Sequence, residues 1–66
     1  MDIVINGRRH RVADGISLDR AISIVTSAPT GVAAALNGEV VRRASWELTI
    51  LAPGDEIEVL TAVQGG

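Results

Sequence analysis

Met1-Asp2-Ile3-Val4-Ile5-Asn6-Gly7-Arg8-Arg9-His10-Arg11-Val12 is the stretch from which the fold follows. Residues 2–5 alternate and are rich in β-branched side chains, which suit a pleated, half-buried strand. Asn6-Gly7 then supplies what a two-residue type I′ turn demands, because both central positions need φ > 0. A second strand follows from Arg8 to about Ala13. The turn puts Ile5 opposite Arg8, Val4 opposite Arg9, Ile3 opposite His10, Asp2 opposite Arg11 and Met1 opposite Val12. One face then collects Met1, Ile3, Ile5, His10 and Val12, and the other carries an Asp2/Arg11 pair. The apolar face is the expected core. His10 is the only histidine and the chain has no cysteine, so a packing role for it is favoured over catalysis or metal binding.

Beyond the hairpin, Asp14-Gly15 breaks the strand. Ser17 is placed to cap a helix from Leu18 to about Ser27, with Asp19 in the first turn where the helix dipole favours negative charge. Leu18, Ala21, Ile22 and Val25 recur at i, i+3, i+4 and i+7 and form one apolar stripe. Pro29 and Gly31 end the segment. So short a helix is marginal alone and must lie on a sheet. Val32 to Leu36, a continuous run of small apolar residues, reads as a strand buried on both sides or nearly so. Asn37-Gly38 repeats the hairpin signal, and Glu39-Val40-Val41 returns. Ala44-Ser45-Trp46-Glu47 reads as one helical turn in which Trp46 closes an edge of the core; an exposed binding aromatic is the less favoured alternative. Leu48 to Leu51 reads as another short strand and Pro53-Gly54-Asp55 as a turn. The last strand, Glu56 to Val63, puts Ile57, Val59 and Thr61 on one face and Glu56, Glu58, Leu60 and Ala62 on the other.

If the first and last strands pair in parallel at the centre, the chain between them supplies the crossover that such pairing needs. The expected fold is α+β: a β-grasp, or ubiquitin-like, mixed sheet of four to five strands with one helix across one face. Residues 1–62 form this domain, and residues 63–66 are expected to be a flexible tail.

Composition narrows the function. At 66 residues the chain is one domain that buries only about 60% of the surface of its extended form. Without cysteine there is no disulfide, thiolate zinc site or thiol nucleophile, which fits a reducing cytoplasm. The longest apolar run falls far below the ~20 residues of a membrane span, and no signal segment opens the chain. A net charge of −2 and a single aromatic, Trp46, argue against nucleic-acid binding. All six basic residues are Arg, so no lysine can accept an isopeptide bond. The Arg8/Arg9/Arg11 cluster reads as a solvated hairpin face rather than a phosphate site, since no Gly-rich loop opens a helix there. One histidine and scattered carboxylates do not assemble a nucleophile, base and orienting group, so an enzyme is not expected.

Val63-Gln64-Gly65-Gly66 ends at a glycine carboxylate. Two residues without Cβ are costly to order, and they can be threaded extended into a slot where any side chain would clash. Read together, Asn37-Gly38-Glu39-Val40-Val41, Arg43, Trp46, Leu51, Gly54-Asp55-Glu56-Ile57-Glu58 and Ala62-Val63-Gln64-Gly65-Gly66 resemble the sulfur carrier proteins of thiamine biosynthesis, the ThiS family. The resemblance spans the whole chain. It departs at Arg42, where the family often has Pro, and in the absence of Lys.

The resemblance implies a cytoplasmic carrier that is a monomer when free, with no bound cofactor, no nucleic acid and no membrane. A ThiF-like enzyme uses ATP to adenylate the carboxylate of Gly66, a cysteine-derived persulfide supplies the sulfur that replaces AMP, and the thiocarboxylate is donated on a ThiG-like thiazole synthase. Gly65, Gln64 and Val63 are the implied tail-recognition residues. Leu60 and Ala62, flanked by Glu56 and Glu58, are the candidate partner interface, with a scatter of ordinary surface residues as the alternative. Other readings are the small subunit of molybdopterin synthase, another ubiquitin-like sulfur carrier, a protein modifier, and a plain interaction module.

Overall fold

The computed structural model describes residues 1–28 and 30–61. Its elements are β1 (Asp2–Ile5), β2 (Arg8–Arg11), α1 (Leu18–Val25), β3 (Val32–Leu36), β4 (Glu39–Val41), a 3₁₀ segment (Arg43–Leu48) and β5 (Glu56–Thr61). The strands form one sheet in the order β2-β1-β5-β3-β4. β1 and β5 run parallel at its centre, and the neighbouring pairs are antiparallel. This is the β-grasp arrangement expected above, with five strands.

Each hairpin follows its turn chemistry. Asn6 and Gly7 have φ of 51° and 80°, and Asn37 and Gly38 have φ of 49° and 86°, the left-handed values that a type I′ turn requires. The first hairpin adopts the expected register, from Asp2 opposite Arg11 to Ile5 opposite Arg8. The second pairs Leu36 with Glu39, Ala35 with Val40 and Ala34 with Val41. Ser17 caps α1, its Oγ accepting from the Arg20 N–H at 3.2 Å.

α1 covers one face of the sheet. Leu18, Ala21 and Ile22 pack against Ile3, Ile5, Ala34, Ile57 and Val59, and Trp46 and Leu51 complete the core. Ile3, Ile5, Leu18 and Ile57 are fully enclosed, each contributing about 1.5–3 kcal/mol of transfer free energy. The Trp46 ring is buried at the edge of the core, and its indole N–H donates to the Val41 carbonyl at 2.9 Å. A buried indole thus keeps its one donor satisfied. Among the described residues no helix is long and apolar enough to cross a membrane.

Three expectations need correction. α1 ends at Val25, not near Ser27: Thr26 is extended, and its Oγ1 accepts from the Ala28 N–H at 3.1 Å, a local bond that competes with further helix. Val25, the last member of the stripe, is exposed. β3 is not buried on both sides; Ala34 is enclosed while Ala33 is exposed, because α1 covers only one face. Residues 48–51 do not form a strand. The 3₁₀ segment runs through Leu48, and a single bridge joins Ile50 to Ser17. Leu18 N–H bonds to Thr49 O at 2.8 Å and Leu51 N–H to Ile16 O at 2.9 Å. The segment's backbone is thereby spent on anchoring the entry to α1, leaving Leu48 and Ile50 outside.

Trp46→Ala removes the largest core side chain and its hydrogen bond to the Val41 carbonyl. It is expected to cost about 3–5 kcal/mol, close to the whole stability of a domain of this size. Urea denaturation followed by circular dichroism checks this, and native protein whose Trp46 fluorescence is fully solvent-quenched is the contrary result.

Candidate functional site

β5 sorts its side chains by alternation. Ile57 and Val59 point into the core, while Glu56, Glu58 and Leu60 stand on the open face of the sheet, Leu60 being 68% exposed. Thr61 falls in phase with Ile57 and Val59 but is exposed at the end of the strand. Of the expected interface residues, the structure places Glu56, Glu58 and Leu60 together on one side of one strand. Ala62, and the expected tail residues Val63, Gln64, Gly65 and Gly66, lie outside the described residues.

The strand is held on both sides. β1 pairs through Val4 with Glu56 and Ile5 with Ile57, and β3 pairs along the whole of β5, from Leu36 opposite Ile57 to Val32 opposite Thr61. Register therefore sets which groups surround Leu60. Ala33 lies directly across from it, and Ala35 lies across from Glu58 on one side and Val40 on the other. Ala33, Val40 and Leu60 are exposed. The result is a small apolar patch spread over three strands, with the carboxylates of Glu56 and Glu58 along its β5 side. Such an arrangement offers a partner apolar contact at the centre and charge for orientation at the margin.

Reading β5 alone missed Ala33, Ala35 and Val40. The signal was present in the second Asn-Gly turn, which pairs Ala35 with Val40. The missing piece was that β3 lies beside β5.

Next to Leu60 the surface opens into a shallow groove of about 540 Å³ lined by Thr30, Gly31, Val32, Ala33, Arg43, Leu60 and Thr61. Arg43 is held at its margin by stacking, with the guanidinium carbon 5.2 Å from the centroid of the Trp46 ring. A cation over an indole face is favourable by about 0.5–1 kcal/mol at exposed sites. The buried Trp46 thus orients a positive charge beside the end of β5.

The other candidates do not converge on a site. His10 is half-buried opposite Ile3, as its packing role requires. Arg8, Arg9 and Arg11 are exposed along the edge strand β2, where charge also discourages pairing with another sheet. Asp2 faces Arg11 in register, but the ion pair found among the described residues joins the Met1 ammonium to Asp14 at 3.2 Å. Among the described residues no three His, Cys, Asp or Glu side chains gather as a metal site would require.

Solved structures of similar shape share this architecture. A crystal structure of a thiamine biosynthesis protein (ThiS) from Geobacter metallireducens superposes with a TM-score of 0.80 at 30% sequence identity, covering 100% of both chains. An NMR solution structure of a thiamine biosynthesis protein from the same organism gives the same TM-score and identity, covering 100% of this chain and 88% of that one. No curated protein sequence matches at a significant level. The model of the ThiS family matches residues 3–66, almost the entire length, and by that match the chain belongs to the ThiS family.

Proposed function

We propose that this protein is a sulfur carrier of thiamine biosynthesis that serves thiazole formation, and that it is a carrier and not an enzyme. The observation that carries the reading is the family match over residues 3–66, which takes in the Gln64-Gly65-Gly66 ending along with the fold. The geometry of β5 adds support: a strand locked on both edges carries an open apolar patch up to Leu60, just ahead of the tail.

The chemistry needs Gly66 as an acyl end. A carboxylate is a poor electrophile, because its charge and resonance repel a nucleophile. A ThiF-like activating enzyme binds ATP, and a carboxylate oxygen attacks the α-phosphorus with loss of pyrophosphate. The resulting mixed anhydride has AMP as a good leaving group. The terminal sulfur of a cysteine-derived persulfide displaces it to form an acyl disulfide, and a second thiol then cleaves the S–S bond, ending as a disulfide and leaving the thiocarboxylate. The thiocarboxylate then gives its sulfur to the thiazole precursor on a ThiG-like synthase. The carrier binds no cofactor of its own in this scheme, and it works in the cytoplasm as a free monomer between encounters.

Gly65 lets the backbone lie flat in a narrow channel, and Gln64 and Val63 lead from the domain to that channel. With so little side chain, the tail supplies little binding energy. Docking comes from Leu60 and Ala62 together with Ala33, Ala35 and Val40, and Glu56 and Glu58 steer the encounter.

Intact mass after incubation with ATP, a cognate activating enzyme and a sulfur donor tests the reading. One oxygen replaced by one sulfur is expected, and a terminus that keeps both oxygens overturns it. Deletion of Gly66 is expected to abolish the mass change while thermal unfolding is unaltered, because glycine carries no side chain to pack.

Leu60→Glu places a third carboxylate beside Glu56 and Glu58 and removes the largest apolar group of the patch. Stability should move by no more than about 0.5 kcal/mol, as for other surface substitutions. Charging of Gly66 at limiting carrier concentration should fall, and unchanged charging would show that the patch is not the docking surface.

A further inference from the structure

Both hairpin tips reach across to β5 with an asparagine carboxamide. At the start of the strand, Asn37 Oδ1 accepts from the Glu56 N–H at 2.9 Å, and its Nδ2 donates to Asp55 Oδ1 at 3.1 Å. Nearer the far end, Asn6 Oδ1 accepts from the Val59 N–H at 2.8 Å, and its Nδ2 donates to the Val59 carbonyl at 3.1 Å. The Asn6 pair spans 53 positions of sequence and is partly buried.

The place of the Asn6 pair is what gives it a function. The β1 backbone makes its last bond to β5 through Asn6 N–H and the Ile57 carbonyl, at 2.9 Å. The chain then turns away at Gly7, which leaves the β1 side of residues 58–61 without backbone partners from β1. The Asn6 side chain stands in for the next two bonds of the parallel ladder, meeting both the N–H and the carbonyl of Val59. Those groups would otherwise be left on a half-buried edge with weaker satisfaction.

We propose that Asn6 is a positioning residue for the acyl-end chemistry: by clamping Val59 it fixes the last stretch of β5 and therefore the point and direction from which residues 62–66 set out. The proposal rests on the sulfur-carrier reading. Asn37 also makes two bonds, to the Glu56 N–H and the Asp55 carboxylate, but at the opposite end of the strand, and so affects stability without aiming residues 62–66. Asn6 touches no reacting atom and acts through β5 alone. Reacting groups must be held in near-attack geometry, and small misplacements far from the chemistry are costly.

The test compares Asn6→Gly with Asn37→Gly. Glycine accepts the positive φ of either turn, so each change deletes a clamp and keeps its hairpin. Full-length carrier is adenylated by a cognate activating enzyme with ATP, and kcat and KM for the carrier are read from pyrophosphate release. The carrier is the substrate here, so a shortage of folded carrier raises apparent KM, whereas a misdirected tail in a docked complex lowers kcat. For Asn6→Gly, kcat is expected to fall by about tenfold or more with KM near that of the parent. For Asn37→Gly, kcat should equal the parent's, any destabilisation appearing in KM.

If Asn6→Gly does not fold, Asn6→Asp carries the same test, since it keeps the acceptor for the Val59 N–H and loses the donor to its carbonyl. Parental kcat in the folded Asn6 variants, or an equal fall in kcat for the Asn37 variant, overturns the proposal. A parent protein that is not adenylated at all overturns the carrier reading and this inference with it, a pattern distinct from the other two.

Discussion

Parallel pairing between β1 and β5 joins the two ends of the domain at the centre of the sheet. Val4 N–H bonds to Asp55 O and Asn6 N–H to Ile57 O, both at 2.9 Å, across a loop that contains almost every other element. Closing so long a loop is entropically costly, and the cost is met by burying Ile3, Ile5 and Ile57 side by side under α1. Parallel strands cannot be joined by a tight turn. The intervening helix, second hairpin and 3₁₀ segment are the crossover.

One helix on a five-stranded sheet leaves the other face open, and this asymmetry links the fold to the proposed activity. A second covering layer would bury Leu60, Ala33 and Val40 and enlarge the core. Their exposure leaves the apolar patch on which the proposed docking rests, contiguous with the end of β5. The same asymmetry makes the core small. Trp46 therefore has three tasks: it fills the edge of the core, ties the core to β4 through its bond to the Val41 carbonyl and holds Arg43 against its outer face.

Much of this was legible beforehand because it depends on neighbours in the chain. The two Asn-Gly turns set their hairpins and registers, since φ > 0 at two successive residues leaves few alternatives. Ser17 announced the start of α1, and the alternation of Glu56 to Leu60 announced which side chains of β5 face outward. The misreadings came where composition was mistaken for environment. Val32 to Leu36 is uniformly apolar, yet only one of its faces is covered, and small alanines tolerate exposure. Leu48 to Leu51 is apolar and strand-like, but its backbone partners, Ile16 and Leu18, belong to the entry of the helix.

Sequence by itself determined the hairpins, the helix start, the outward side of β5 and the family resemblance, because those follow from backbone dihedral limits and side-chain periodicity acting over a few residues. Tertiary structure decided which strands became neighbours. From that came the Leu60, Ala33, Ala35 and Val40 patch, the seat of Arg43 on Trp46, and the two asparagine clamps on β5. A carboxamide that meets a backbone 53 positions away has no local signature, since its partner exists only when distant strands lie at hydrogen-bonding distance.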